Sequence, residues 1–143
     1  MNSGVSVRLI IAVYKNTTFL KKVLDSVEQQ TYRNFNVSIV EDGNSEVMRN
    51  FIAQIAYSFP VTHYTQEDIG FRKNKILNVA LRDAHEDLCV FIDGDCVLHP
   101  TYLKTYVKYF FLTHNQRVPG SSPGGPTWKS RTYELKSHGS FFI

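Results

Sequence analysis

Hydrophobic positions along the chain switch repeatedly between two rhythms. Residues 5–14 (VSVRLIIAVY) are short, rich in Val and Ile, and predict a mostly buried strand. Leu20, Val23, Leu24 and Val27 then recur at i, i+3, i+4 and i+7, which predicts an amphipathic helix capped by Asn16 or Thr17. Residues 32–40 alternate and then turn apolar, predicting a second strand that stops at Glu41-Asp42-Gly43. Met48, Phe51, Ile52 and Ile55 restore the helical spacing until Pro60 breaks it, and residues 61–65 follow as a short strand. After a polar segment, 66–74, a third helical stripe runs through Ile76, Leu77, Ala80, Leu81 and Ala84. Residues 88–92 (LCVFI) read as a fully buried strand. Pro100 suits the first turn of a helix with Leu103, Tyr106, Val107 and Phe110 inside.

The predicted order is β-α-β-α-β-α-β-α, an α/β fold with a mainly parallel sheet flanked by helices on both faces. In such a sheet ligands bind beyond the carboxyl ends of the strands. The polar clusters Tyr14-Lys15-Asn16, Glu41-Asp42-Gly43, the 66–74 segment and Asp93-Gly94-Asp95 all follow strands, so the topology gathers them on one rim.

The 143 residues suffice for one domain with a real core, and the composition, 43% hydrophobic and 20% charged, is that of an ordinary globular protein. A net charge of +3 is too mild to predict nucleic-acid binding. Cys89 and Cys96 form no CxxC pair, which argues against a disulfide framework or zinc site. The apolar run 7–13 contains Arg8 and is too short to span a bilayer, and no basic segment precedes it as in a signal peptide. The expectation is a cytoplasmic protein with no transmembrane segment, peripheral attachment to a membrane being left open.

Two aspartates separated by one glycine repel each other unless a cation or donors compensate. Hard ions such as Mg²⁺ and Mn²⁺ take oxygen ligands and keep phosphate oxygens in their shell, so Asp93 and Asp95 make chemical sense around a metal and a diphosphate. Taken alone, the same tripeptide is equally well a solvated turn. Arg72 and Lys73 stand just before a helix, where side-chain cations and free N–H groups can meet an anion. Asp42 can accept a hydrogen bond from a base N–H, and Tyr14 can stack on a base. Each has a plain alternative as a turn acid, a helix start or a core rim; their grouping is what carries weight.

Four stretches, IIAVYKN, VEDGNS, QEDIGFRKNKILNVAL and FIDGDCVLHP, come in this order between residues 5 and 112. With them the chain resembles the N-terminal, nucleotide-sugar-binding half of a family 2 glycosyltransferase of the GT-A (Rossmann-like) fold. The resemblance implies a donor site in which Asp42, with Glu41 beside it, holds the nucleobase. It implies Tyr14 near the base and Arg72 against the nucleotide. It makes Asp95 the direct metal ligand, and Asp93 the contact to the ribose or to the metal's water. It further implies Mn²⁺ or Mg²⁺, a nucleoside diphosphate sugar (a UDP-sugar foremost) as donor, a glycan acceptor hydroxyl, and a role in polysaccharide or glycan biosynthesis.

Val13 and Lys15 depart from the family's usual first motif, and Glu41 replaces the first acid of the second. A general base is expected beyond the residues that match. Glu134 is the only acid after Asp95, and its surroundings do not match the family's base motif. Residues 1–116 therefore read as the nucleotide-sugar-binding region and 117–143 as an irregular Gly/Pro-rich tail, with the fold incomplete at its C-terminus. The alternative reading is a truncated, non-catalytic nucleotide-binding remnant, or a module that needs another chain. Apolar area left open by missing helices predicts self-association. A dehydrogenase is disfavoured because no GxGxxG follows the first strand, and a nucleotidyltransferase because no glycine-rich, lysine-containing loop stands there.

Overall fold

The computed structural model describes residues 4–114. The expectations for 117–143, Glu134 included, lie outside the described residues. The elements are β1 (Val7–Val13), α1 (Thr17–Glu28), β2 (Phe35–Glu41), α2 (Glu46–Gln54), β3 (Val61–Thr65), α3 (Lys73–Arg82), β4 (Leu88–Asp93) and α4 (Tyr102–His114). The four strands form one sheet in the order β3-β2-β1-β4, and every neighbouring pair is parallel.

Strand periodicity divides the core. Val7, Leu9, Ile11 and Val13 of β1, with Val37 and Ile39 of β2 and Val90 and Ile92 of β4, face α1, α2 and α4. Leu20, Val23, Leu24 and Val27 of α1 are fully buried there, each contributing roughly 1.5–3 kcal/mol relative to exposure. The alternate positions Ile10 and Val40 pack on Ile76 and Ala80 of α3 across the other face. The chain thus steps from β1 to β3 with its helices on one side, then returns over the opposite face through α3 to pair β4 with β1. Right-handed crossovers demand this arrangement. The point where the winding reverses lies between β1 and β4, which stay paired through Ala12 and Asp93 at their C-terminal ends.

Local chemistry sets the boundaries. Asn16 is the N-cap of α1, its side chain accepting from the Phe19 N–H at 2.9 Å, and Ser45 caps α2 through the Met48 N–H. Several boundaries differ from expectation: β1 is confined to Val7–Val13, and α3 ends at Arg82, before Ala84. β2 begins at Phe35, since residues 32–34 turn into the strand and the Asn34 carbonyl is spent on the Val7 N–H. Ile55 packs on the core from an extended conformation just past α2. Pro100 precedes α4 in a turn closed by the Tyr102 N–H on the His99 carbonyl, and its own carbonyl accepts from the Thr31 N–H at 2.8 Å.

Two buried polar residues, Ser26 in α1 and Gln30 just past its end, anchor the stretch after β4. Ser26 Oγ accepts from the Leu98 N–H at 2.9 Å. The Gln30 amide donates to the His99 carbonyl at 2.8 Å and accepts from the Leu103 N–H at 3.0 Å. These bonds satisfy groups that burial would otherwise penalise and fix the exit of the Asp93–Asp95 turn.

Candidate functional site

A cavity of about 640 Å³ opens at the C-terminal edge of the sheet, on the α3 side. Ala12 and Val40 form its floor, and Tyr14, Asn16 and Phe19 line it from the start of α1. Asp42 enters after β2; Asp68, Gly70, Phe71 and Lys73 enter from the β3–α3 connection; Asp93, Gly94 and Asp95 follow β4.

Asp42 is only 7% exposed, and each of its carboxylate oxygens accepts one hydrogen bond. Oδ2 accepts from the Arg72 backbone N–H at 2.7 Å and Oδ1 from Gln66 Nε2 at 2.6 Å. Two donors on one carboxylate fix its rotamer and leave only lone pairs toward the cavity.

The strand alternation sends Glu41 to the other face of the sheet, where it is 1% exposed and does not line the cavity. Its Oε1 accepts from the Ser45 N–H at 2.9 Å and its Oε2 lies 3.1 Å from His63 Nε2. Burial pushes His63 below the usual histidine value, against the opposing pull of the Glu41 carboxylate. Arg72 also stays off the cavity lining: its guanidinium donates to the Glu67 carbonyl at 2.7 Å, and what it brings to the site is its backbone N–H. Its Nε is buried without a hydrogen-bond partner.

Lys73 does line the cavity, with its ammonium on the Asp93 carboxylate. Tyr14 is half exposed at the rim. Its hydroxyl lies 3.3 Å from Asp68, whose carboxylate also pairs with Lys15 at 2.9 Å, and the Lys15 ammonium rides 4.6 Å over the Tyr14 ring. The hydrogen bond from Lys15 holds the Asp68 carboxyl below its usual range. Asp93 and Asp95 flank Gly94 on one wall, two hard oxygen donors side by side. Among the described residues no group of three or more His, Cys, Asp or Glu could by itself hold a metal ion.

The structure thus brings Tyr14, Asp42, Lys73, Asp93 and Asp95 to one cavity and sends the side chains of Glu41 and Arg72 elsewhere. Gln66, Asp68, Phe19 and Phe71 belong to the cavity's lining or its support without having been singled out from sequence. Gln66 and Asp68 stand in the motif QEDIGFRKNK, but nothing in that string marks an amide that reaches back across 24 residues.

Residues 5–135 match the model of the family described as glycosyltransferase like family 2. The chain belongs to that family. Glycosyltransferase GlyA of Streptococcus pneumoniae serotype 4 is 25% identical over 103 residues, which are 71% of this chain and 14% of GlyA. TarS 1-349 of S. aureus, solved in complex with UDP, superposes with a TM-score of 0.67 at 20% identity over 82% of this chain and 38% of that one. The mannosyltransferase PcManGT from Pyrobaculum calidifontis, solved with GDP-Man and Mn²⁺, gives 0.65 at 20% identity over 76% and 33%. At these identities the superpositions establish the fold, the GT-A arrangement of a parallel sheet between helices. The chain spans well under half the length of each of these glycosyltransferases. No helix among the described residues is long and apolar enough to cross a membrane.

Proposed function

We propose that the cavity binds a nucleoside diphosphate sugar, foremost a UDP-sugar, together with Mn²⁺ or Mg²⁺. In this reading the chain is the donor side of a transferase that passes the sugar to an acceptor hydroxyl in polysaccharide or glycan assembly. The observation that carries it is the meeting of Asp42, Lys73, Asp93 and Asp95 in one cavity where the sheet winding reverses.

The roles follow from charge and position. Asp42, acceptor-only and enclosed, takes an N–H of the base, with Tyr14 beside it as a stacking surface. Lys73 lies at the start of α3, whose N-cap, Arg72, makes no side-chain capping bond, so ammonium and free backbone donors stand together for a diphosphate. Asp93 and Asp95 fit a hard divalent ion of the kind held by one or two carboxylates plus substrate phosphates, for which a three-residue protein cage is not needed. A bound ion would supply charge neutralisation for the departing diphosphate. Asp95 would hold it, and Asp93 would hold the ribose or the ion's water. In the transfer the acceptor oxygen bonds to the anomeric carbon as the bond to the diphosphate breaks, and the hydroxyl proton goes to a base not assigned among the described residues.

Calorimetric titration with UDP tests this. Binding is expected in the presence of Mn²⁺ and weaker by about tenfold or more without it, since the ion would add at least one strong charged contact between the aspartates and the ligand. Asp95→Asn is expected to remove the metal-dependent part. No UDP binding with Mn²⁺ present overturns the reading.

A further inference from the structure

Gln66 makes an arrangement that loop closure does not explain. Its backbone N–H donates to the Gly43 carbonyl at 3.1 Å, tying the end of β3 to the turn after β2. Its side-chain Nε2 donates twice, to Asp42 Oδ1 at 2.6 Å and to the Arg72 carbonyl at 3.0 Å. Both partners are obligate acceptors, so the amide cannot be turned over: the nitrogen must face them. As a result Gln66 Oε1 is buried with no hydrogen-bond partner, an unfavourable state for an acceptor. Arg72 offers a carbonyl and an N–H, and a simple clip between loops would engage both with the two ends of the amide. Instead the Arg72 N–H goes to Asp42 Oδ2 at 2.7 Å. The Gln66 amide and the Arg72 N–H thus converge on one carboxylate, one donor to each oxygen.

We propose that Gln66 is a positioning residue that fixes the orientation of the Asp42 carboxylate, with its remaining lone pairs toward the cavity, and so sets the class of nucleobase the cavity takes. The inference rests on the reading of Asp42 as the contact to the base. A carboxylate held by a donor on each oxygen is fixed in its rotamer and presents its remaining lone pairs in one direction. A base with a ring N–H on its pairing edge, uracil or guanine, complements those lone pairs. Cytosine and adenine present a ring nitrogen with its own lone pair at the same position, and the contact becomes acceptor against acceptor. Without the Gln66 amide, Asp42 loses the donor on Oδ1 and can rotate, so its lone pairs no longer face the base in a fixed direction.

Comparing UDP with CDP isolates this effect, because diphosphate, ribose and metal contacts are common to both. Their affinities are measured calorimetrically in Mn²⁺ for the wild-type chain, for Gln66→Leu, which keeps the bulk but no donor, and for Gln66→Glu, which keeps the shape and adds an acid. Thermal unfolding confirms that each variant is folded. The wild-type protein is expected to favour UDP by about tenfold or more, the value of one hydrogen bond exchanged for an unpaired buried acceptor. In both variants that ratio is expected to fall to within about threefold of unity, chiefly by weaker UDP binding, with CDP nearly unchanged, as loss of one discriminating contact requires. If UDP and CDP weaken by the same factor, Gln66 merely supports the loop and the proposal is overturned; it is equally overturned if the ratio keeps its wild-type value. Should one variant fail to fold, the other decides by the same ratio. Failure of the wild-type chain to bind either nucleotide overturns the donor-site reading itself, and the inference with it.

Discussion

The backbone of Gly94 lies directly against Ala12. The Gly94 N–H donates to the Ala12 carbonyl at 2.8 Å, and a Cβ on Gly94 would stand 2.9 Å from that same oxygen and 2.9 Å from Val13 Cγ1. The oxygen belongs to backbone in the middle of the sheet edge and cannot give way. Gly94→Ala is therefore expected to destabilise the fold by about 1–3 kcal/mol, as overpacking does, and to displace both aspartates from the cavity wall. Gly43→Ala is the matched control, because its Cβ meets nothing closer than 3.8 Å and should cost within about 0.5 kcal/mol. Urea unfolding of the two variants beside wild type checks the contrast; equal costs refute it.

Lys73 pairs with Asp93 in the ligand-free protein and is proposed to meet a diphosphate in the bound one. Exchange of one anionic partner for a more highly charged one predicts a split between ligands. Lys73→Met is expected to weaken UDP by about tenfold, the loss of one charge-assisted contact, and to leave uridine, which has no phosphate, unaffected. Equal weakening of UDP and uridine would show that the lysine shapes the cavity rather than binding phosphate. Little stability should be lost, since the pair is largely solvent-exposed.

The layered fold was legible because two physical periods carry it. The apolar 3.6 period of Leu20, Val23, Leu24 and Val27 and the buried run of β1 allow few arrangements once crossovers must be right-handed, whereas β4, expected to be fully buried, is an edge strand among the described residues with only Val90 and Ile92 buried. The rim was legible for the same reason, since loops after parallel strands share an edge. Which way a side chain points at that rim was not. Glu41 and Asp42 are adjacent in sequence, but Glu41 continues the strand alternation onto the α2 face and Asp42, one residue past the strand, turns into the cavity. Arg72 reads as a cation near an anion, yet its backbone supplies the site and its guanidinium holds the Glu67 carbonyl. Gln66, Ser26 and Gln30 act through single long-range hydrogen bonds, which leave no period and no charge pattern to read.

Gly70 has φ of +64° with nothing within 4 Å of its missing Cβ, so only backbone strain opposes a side chain there. Gly70→Ala is expected to cost about 1 kcal/mol and Gly70→Asn less, because asparagine tolerates the left-handed region. Both are read from urea midpoints. The adjacent Phe71 is 88% exposed and lines the cavity, so the turn at Gly70 keeps a large apolar ring out of the core. Phe71→Ser should leave stability within about 0.5 kcal/mol, as a substitution of so exposed a side chain does.

Acid should weaken the fold first through Glu86 in the carboxylate range. Burial pushes this carboxyl up, but the hydrogen bonds from Arg8 and Asn36, its own backbone neighbourhood and the Arg8 charge outweigh that and bring it down to about 2. The Arg8–Glu86 pair is 2.9 Å long and nearly enclosed, so screening removes little of this. A folded value below the unfolded one means that the contribution is complete above about pH 4.5 and is lost as pH falls toward 2. Glu86→Gln is expected to lower stability by about 2–3 kcal/mol at pH 7 and to converge on wild type near pH 2. A constant gap between the two across that range would contradict the linkage.

His63 opens a second and higher window. Its ring is mostly enclosed on the edge strand, and burial lowers its value below the ordinary histidine range despite the Glu41 charge and hydrogen bond that pull upward; Arg49 adds to the lowering. The folded protein thus keeps the imidazole neutral where the unfolded chain already binds a proton. Stability from this residue is complete above about pH 6.5 and is lost as pH falls below it, before Glu86 begins to titrate. His63→Gln, an uncharged replacement that can still donate to Glu41, is expected to flatten the pH dependence of the urea midpoint between about pH 7 and 5.5 while leaving the lower window intact. Because Glu41 also holds the Ser45 N–H at the turn that follows Asp42, the same substitution reports whether the buried pair supports that turn. An unchanged slope in His63→Gln would place the upper titration on another group, whereas loss of the slope together with weaker UDP binding would tie the Glu41–His63 pair on one face of the sheet to the carboxylate that faces the cavity on the other.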